Sequence, residues 1–230
     1  MAFFAKRIAG DIRLLTNSKS RGIEFDFSHN DKNLDKVYAA IYGPEGSCFN
    51  SCIFYFIIDC SQSYPIKPPI FKFVTPIHKR FHPNLYADGK VCLTILNTWH
   101  DSKVSGWTAA TNLEAVLTTI RSMIHDNPLS EEPGQDYPLT NNNAKNYHIA
   151  AKYYSLENTF SYFLNNPGIP DNIYKEMGKY FMAHISTYKN SIKELNKYDG
   201  NNITYFHGTV TISIKLLKSM FKKVKKNLSE

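Results

Sequence analysis

The stretch IHKRFHPNLYADGKVCLTIL, residues 77–96, decides the fold. It has neither helical nor strand periodicity, carries turn-forming residues at Pro83-Asn84 and Asp88-Gly89, and reaches a cysteine, Cys92, between apolar neighbours. Long aperiodic segments inside a compact domain are more often functional than structural. An isolated cysteine is more often a small buried residue than a nucleophile, so the meaning of Cys92 rests on what surrounds it.

Upstream the chain is rich in strand formers. IEFDF at 23–27, KVYAAIY at 36–42, CIFYFII at 52–58 and IFKFV at 70–74 are separated by HNDKN, GPEGS and YPIKPP, whose Gly, Pro and Asn force or tolerate turns. This pattern predicts a four-stranded antiparallel meander, with Pro65, Pro68 and Pro69 kept outside any central strand. Before it, Phe4, Ile8, Ile12 and Leu15 recur at helical spacing and predict a helix from about residue 3 to 16.

Downstream, Thr111 followed by Glu114 reads as a capping box. The apolar stripe Leu113, Val116, Leu117, Ile120, Met123 and Ile124 then predicts a core helix that stops at Asn127-Pro128. Beyond Pro138 the strand signal fades. Helical stretches are expected near 143–164, 171–196 and 209–228, with the asparagines at 141–143 as a short polar linker. The expected class is α+β: a core over residues 1–140 and an all-helical extension over 141–230.

With 43% hydrophobic and 20% charged residues in 230, the chain is an ordinary globular one, neither disordered nor fibrous. It lacks an apolar run long enough to span a bilayer, and the apolar part of MAFFAKRIAG is too short for a signal peptide, so a cytoplasmic or nuclear location is expected. Cys48, Cys52, Cys60 and Cys92 are too unevenly spaced for a disulfide framework and read as free thiols. Cys48 and Cys52 are not followed by a second ligand pair at zinc-finger spacing, so no metal is expected. The net charge of +7 owes much to Lys215, Lys218, Lys222, Lys223, Lys225 and Lys226. They face away from the stripe Val210, Ile214, Leu217, Phe221, Val224 and Leu228, so a docked amphipathic helix with a solvated basic side is preferred to a surface for nucleic acid or an anionic membrane.

His82-Pro83-Asn84 followed eight positions later by Cys92 in GKVCLTIL resembles the active-site signature of ubiquitin-conjugating enzymes. GPEGS at 43–47, YPIKPP at 64–69 and Trp107 before the core helix resemble that family in order and spacing. The segment NTWHDSKVSGW after Leu96, EEPG at 131–134 and, more weakly, KNYHIAAKYY at 145–154 are similar to its larger Z-type members. The resemblance implies the ubiquitin-conjugating fold, with Cys92 accepting ubiquitin or a ubiquitin-like modifier as a thioester from an activating enzyme. The acyl group then passes to a lysine amine or a ligase. Such thiol exchange needs an accessible sulfur but no base, metal or organic cofactor, and ATP is consumed upstream.

By the same resemblance Asn84 either donates to the oxyanion or supports the loop. His82 supports the loop, and Glu132, or its neighbour Glu131, positions the amine. Asp88 and Gly89 shape the turn into Cys92. Lys6 and Arg7 are candidate contacts for the activating enzyme. Ile66 and Ala109 stand where the family usually has an aromatic residue and a proline, which implies atypical ligase docking. Two other readings stay open: a non-catalytic relative that binds ubiquitin or a ligase, and a core addressed by its basic tail.

Overall fold

The computed structural model describes residues 2–17, 22–27, 35–99 and 106–230. The β-rich runs form one antiparallel sheet of β1 (Ile23–Phe27), β2 (Lys36–Tyr42), β3 (Ile53–Asp59) and β4 (Ile70–Val74), in sequence order. Pairs such as Ile23↔Ile41, Ala39↔Phe56 and Phe56↔Phe73 set the register. The HNDKN connector lies within 28–34 and residues 100–105 fall in the segment after Leu96; both lie outside the described residues.

Helix α1 (Ala2–Asn17) buries Phe4, Ile8 and Leu15, and packs against α2 (Leu113–Met123). The start of α2 differs from expectation. Asn112 is the cap, its side-chain oxygen accepting from the Ala115 amide at 2.8 Å, while the Thr111 hydroxyl lies 3.2 Å from that of Thr108. Asparagine caps a helix at least as well as threonine, and it stands nearer the first helical turn. The helix also ends sooner, at Met123, and residues Pro128–Glu131 form a separate 3-10 turn.

The asparagine run is not a linker: α3 (Asn142–Asn165) begins inside it, with Asn141 accepting from the Asn143 amide at 2.8 Å. This helix is buried on most of its circumference, with Tyr147, Ala151, Leu156 and Phe160 fully enclosed. Its buried polar side chains satisfy the sheet. The pairing of β3 with β4 ends at Tyr55↔Val74, and α3 serves the amides there. Thr159 Oγ1 accepts from the Ile53 amide at 2.9 Å, and the Tyr162 hydroxyl accepts from the Tyr55 amide at 3.2 Å. Tyr162 also donates to the Val74 carbonyl at 2.6 Å and accepts from Asn158 Nδ2 at 2.8 Å.

The expected helix over 171–196 is divided at His184 into α4 (Asp171–Ala183) and α5 (Ile185–Leu195). The expectation of an all-helical extension needs one correction, since β5 (Asn202–Tyr205) and β6 (Gly208–Thr211) form a hairpin. Its β-branched and aromatic residues are strand formers, and Gly208 takes a φ of +142° that other residues avoid. The last helix, α6 (Ile214–Asn227), therefore starts later than residue 209 and is capped by Ser213. It is docked by Ile214, Leu217, Phe221 and Val224, with the Phe221 ring against Phe160 and Phe181 and its lysines outward. Among the described residues, no helix is long and apolar enough to cross a membrane.

Tyr162→Phe removes the partner of two buried groups on β3 and β4. It is expected to lower stability by about 1–3 kcal/mol, read as a shift of the urea midpoint without a change in slope.

Candidate active site

The loop after β4 is folded by turns whose residues can be assigned individually. Leu85 bridges to Val91, and Lys72 to Lys90, which brings the loop back along the sheet edge. Asp88 accepts from the Lys90 amide at 3.0 Å, and Gly89 takes φ +94°. A Cβ on Gly89 would stand 2.8 Å from the Phe73 carbonyl, so both conformation and close approach require glycine.

His82 is 1% exposed. Its Nδ1 accepts from the Asn84 amide at 3.2 Å, so the other nitrogen carries the proton and Nε2 donates to the Met123 carbonyl at 2.9 Å. Burial lowers its pKa from 6.5 to about 4, keeping the imidazole neutral. It pins the loop to the end of α2.

Asn84 is coupled to the cysteine twice. Its Nδ2 donates to the Cys92 carbonyl at 2.8 Å, and its backbone carbonyl accepts from the Cys92 amide at 2.9 Å. Its Oδ1 is buried without a hydrogen-bond partner.

Cys92 is 4% exposed, less than the sequence led us to expect, and its thiol contacts the Thr98 carbonyl at 3.4 Å. It is not sealed in the core: it forms part of the wall of an open cavity of about 600 Å³ that is also lined by Asn84, Trp99, Glu131 and Glu132. The Thr98 hydroxyl fixes this wall, accepting from the Leu93 amide at 2.8 Å and donating to the Val91 carbonyl at 2.8 Å. All four cysteines are free. Burial raises the thiol of Cys52 to about 11, that of Cys60 to about 12, and that of Cys48 well above its ordinary value. Those three are therefore poor nucleophiles.

Glu131 is the last residue of the 3-10 turn at Pro128–Glu131 and Glu132 follows it, and the two carboxylates are already engaged differently. Glu131 lies 2.7 Å from His125 Nε2, whereas Glu132 pairs with Arg80 Nη2 at 3.4 Å through Oε2. Arg80 also donates to the Pro83 carbonyl and stacks over the Tyr86 ring at 3.8 Å. Arg80 and Trp99 were not singled out from the sequence. A tryptophan beside the cysteine in an inserted segment was the available signal for Trp99; Arg80 had none.

Outside the cavity lining, Trp107 Nε1 donates to the Pro65 carbonyl at 2.7 Å and its ring meets Tyr64 at 5.7 Å. Ile66 is 77% exposed and Ala109 is also exposed. Lys6 is exposed, but Arg7 is held internally by Asp11 at 2.9 Å and by the carbonyls of Ala109 and Thr111 at 2.7 and 2.5 Å. Away from the cavity, donor atoms of Cys48, Asp126 and His148 gather within 4.8 Å. They have partners already: His148 Nδ1 contacts Asp126 O at 3.1 Å, and the Cys48 thiol faces the His125 carbonyl at 3.7 Å.

Residues 7–162 match the family model of the ubiquitin-conjugating enzyme, and the chain belongs to that family. Within it the chain is close to the Z type. It is 31% identical over 174 residues to ubiquitin-conjugating enzyme E2 Z of Danio rerio, covering 74% of this chain and 52% of that protein. It is 30% identical over 165 residues to the Homo sapiens protein of that name, covering 70% and 46%. A shorter relative, ubiquitin conjugating enzyme E2 B of Dictyostelium discoideum, is 40% identical over 117 residues, covering 49% and 72%. The chain thus spans about half the length of the Z-type relatives it matches.

His82 predicts an acid-labile fold. The unfolded chain takes up a proton near 6.5 and the native chain only near 4, so stability is complete above that window and falls as the pH drops through it. The expected slope is up to about 1.4 kcal/mol per pH unit. Denaturant midpoints between about pH 7 and pH 5 should show it, with a smaller slope in His82→Gln.

Proposed function

We propose that this chain is an active conjugating enzyme that accepts ubiquitin or a ubiquitin-like modifier as a thioester on Cys92 and passes it to an amine. The observation that carries this reading is the Cys92 side chain in the wall of a cavity that Glu131 and Glu132 also line. A non-catalytic role is not favoured, because the matched relatives are named as conjugating enzymes and the chain has a cysteine at the signature position.

In the first step the Cys92 thiolate attacks a thioester on the activating enzyme. One C–S bond forms as another breaks, and the partner's sulfur leaves as thiolate. The two bonds are nearly equal in energy, so the exchange calls on no metal or organic cofactor of this chain. In the second step Glu132 holds the incoming ammonium near the thioester carbonyl while one proton passes from it to solvent. The neutral amine then attacks that carbonyl, the C–N bond forms, the C–S bond breaks, and the proton shed by the nitrogen goes to the departing Cys92 thiolate. Glu132 Oε2 is tied to Arg80, so Oε1 is assigned the amine. Asn84 supports the loop through the Cys92 carbonyl, and its second amide proton is the candidate donor to the developing oxyanion.

For partners, Lys6 remains a candidate contact for an activating enzyme, whereas Arg7 acts as an internal tie between α1 and the segment before α2. Exposed Ile66 and Ala109, where the family usually has an aromatic residue and a proline, imply atypical ligase docking. The outward lysines of α6 are assigned no nucleic-acid or membrane role. Free thiols fit a reducing compartment, and a cytoplasmic or nuclear site of action is part of the proposal.

Cys92→Ser, incubated with activating enzyme, ubiquitin and ATP, should give no adduct that reducing agent removes, and at most a slower, reductant-resistant ester. A reducible adduct persisting in this variant would move the nucleophile to another cysteine. Glu132→Ala should load at the normal rate and discharge to free lysine about tenfold or more slowly, measured in single-turnover gels. Discharge at the native rate would remove Glu132 from the mechanism.

A further inference from the structure

The β5–β6 hairpin lies far along the chain from the family signature, yet its turn reaches the carboxylate assigned to the amine. The Tyr205 hydroxyl donates to the Arg80 carbonyl at 2.9 Å, anchoring the hairpin to the loop that carries the signature. The next turn residue, Phe206, is 52% exposed, while the side chain of His207 is turned inward and only 7% exposed. The His207 ring sits edge-on to Tyr147 and Tyr205, with centroids at 5.5 and 6.1 Å. Its Nε2 is buried without a hydrogen-bond partner and stands 4.0 Å from Glu132 Oε2. That oxygen is the one approached by Arg80 Nη2 at 3.4 Å, and Arg80 in turn donates to the Pro83 carbonyl beside Asn84.

We infer that His207 is a positioning residue for aminolysis: the C-terminal hairpin holds the Glu132 carboxylate at the cavity mouth by presenting the His207 Nε2–H to Oε2 opposite Arg80. This rests on the conjugating role proposed above.

Two groups on one oxygen restrain a carboxylate more than one does. A lone contact leaves Glu132 free to swing about the Arg80 axis, whereas a second, from a different element, fixes the plane of the carboxylate. The remaining oxygen then faces the cavity. At 4.0 Å the His207 contact is longer than a hydrogen bond, so it acts as an oriented dipole that a shift of about 1 Å converts into a bond. Burial first, then Arg80 and His82, lower the His207 pKa to about 4. The ring is thus neutral at neutral pH, and it restrains Glu132 without cancelling the negative charge that attracts the amine. Misplacing a group that orients a reactant by even about 1 Å is enough to slow a reaction severalfold or more.

The test compares His207→Ala, His207→Gln and the double variant His207→Ala with Glu132→Ala, all in the full chain. Each is loaded on Cys92 by activating enzyme and ubiquitin, then followed for discharge to free lysine across a range of lysine concentrations and for hydrolysis in its absence. The expected result is a loss of about three- to tenfold in lysine discharge for His207→Ala, with loading and hydrolysis unchanged. Glutamine, which keeps an N–H donor at similar reach, restores most of the rate, and the double variant is no slower than Glu132→Ala alone. Native discharge in His207→Ala overturns the inference, as does a loss that adds in full to that of Glu132→Ala. A His207→Gln variant that melts with the parent but stays as slow as alanine overturns it as well. A parent chain that never loads on Cys92 overturns the conjugating reading itself, so the two failures are told apart in the first lane of the gel.

Discussion

The site depends on one buried imidazole. His82 is bonded on one side to the last residue of α2 and on the other to the Asn84 amide, so a loop without regular structure inherits the rigidity of the core helix. Asn84 then carries the constraint to both the amide and the carbonyl of Cys92. Neutrality is what makes this work: a charged ring would donate from both nitrogens, and Nδ1 could no longer accept from Asn84. Placing the ring where it is almost without exposure disfavours the charged form and secures the arrangement.

The second constraint comes from α3, which completes the sheet where β4 ends. Side-chain oxygens of Thr159 and Tyr162 stand in for strand carbonyls, so the helix is bound by direction as well as by apolar contact. That fixes everything attached to it. The aromatic cluster of Phe160, Phe181 and Phe221 then seats α4 and α6, and the β5–β6 hairpin lies along the same helix. A region with no strand of the main sheet thus reaches the cavity by a chain of rigid contacts.

Much of this was legible in the residues. Three of the four strand ranges were read without error because strand-forming and turn residues agreed, and only the third was displaced by one position. The signature around Cys92 could be read because it is local: its tripeptide, turn and cysteine all lie within one loop. Elsewhere, Thr111 and Asn112 are both good caps, as is Asn141, so the residues alone did not choose among them, and the break at His184 has no proline or glycine to announce it. The second strand of the hairpin was absorbed into a helical stripe because Val210 happens to continue the spacing of Ile214 and Leu217, and the first, Asn202–Tyr205, fell in the gap between two expected helices. The pairing of Arg80 with Glu132 and the approach of His207 join distant parts of the chain, and nothing in the linear order announces them.

The recessed position of Cys92 has a consequence for the idle protein. Oxidation of a thiol to sulfenic acid and beyond follows its exposure and thiolate character. A sulfur set back in a wall and facing the Thr98 carbonyl meets peroxide less often than one on a convex surface. The recess that sets Cys92 into the cavity wall therefore also shields the free thiol and favours its staying reduced.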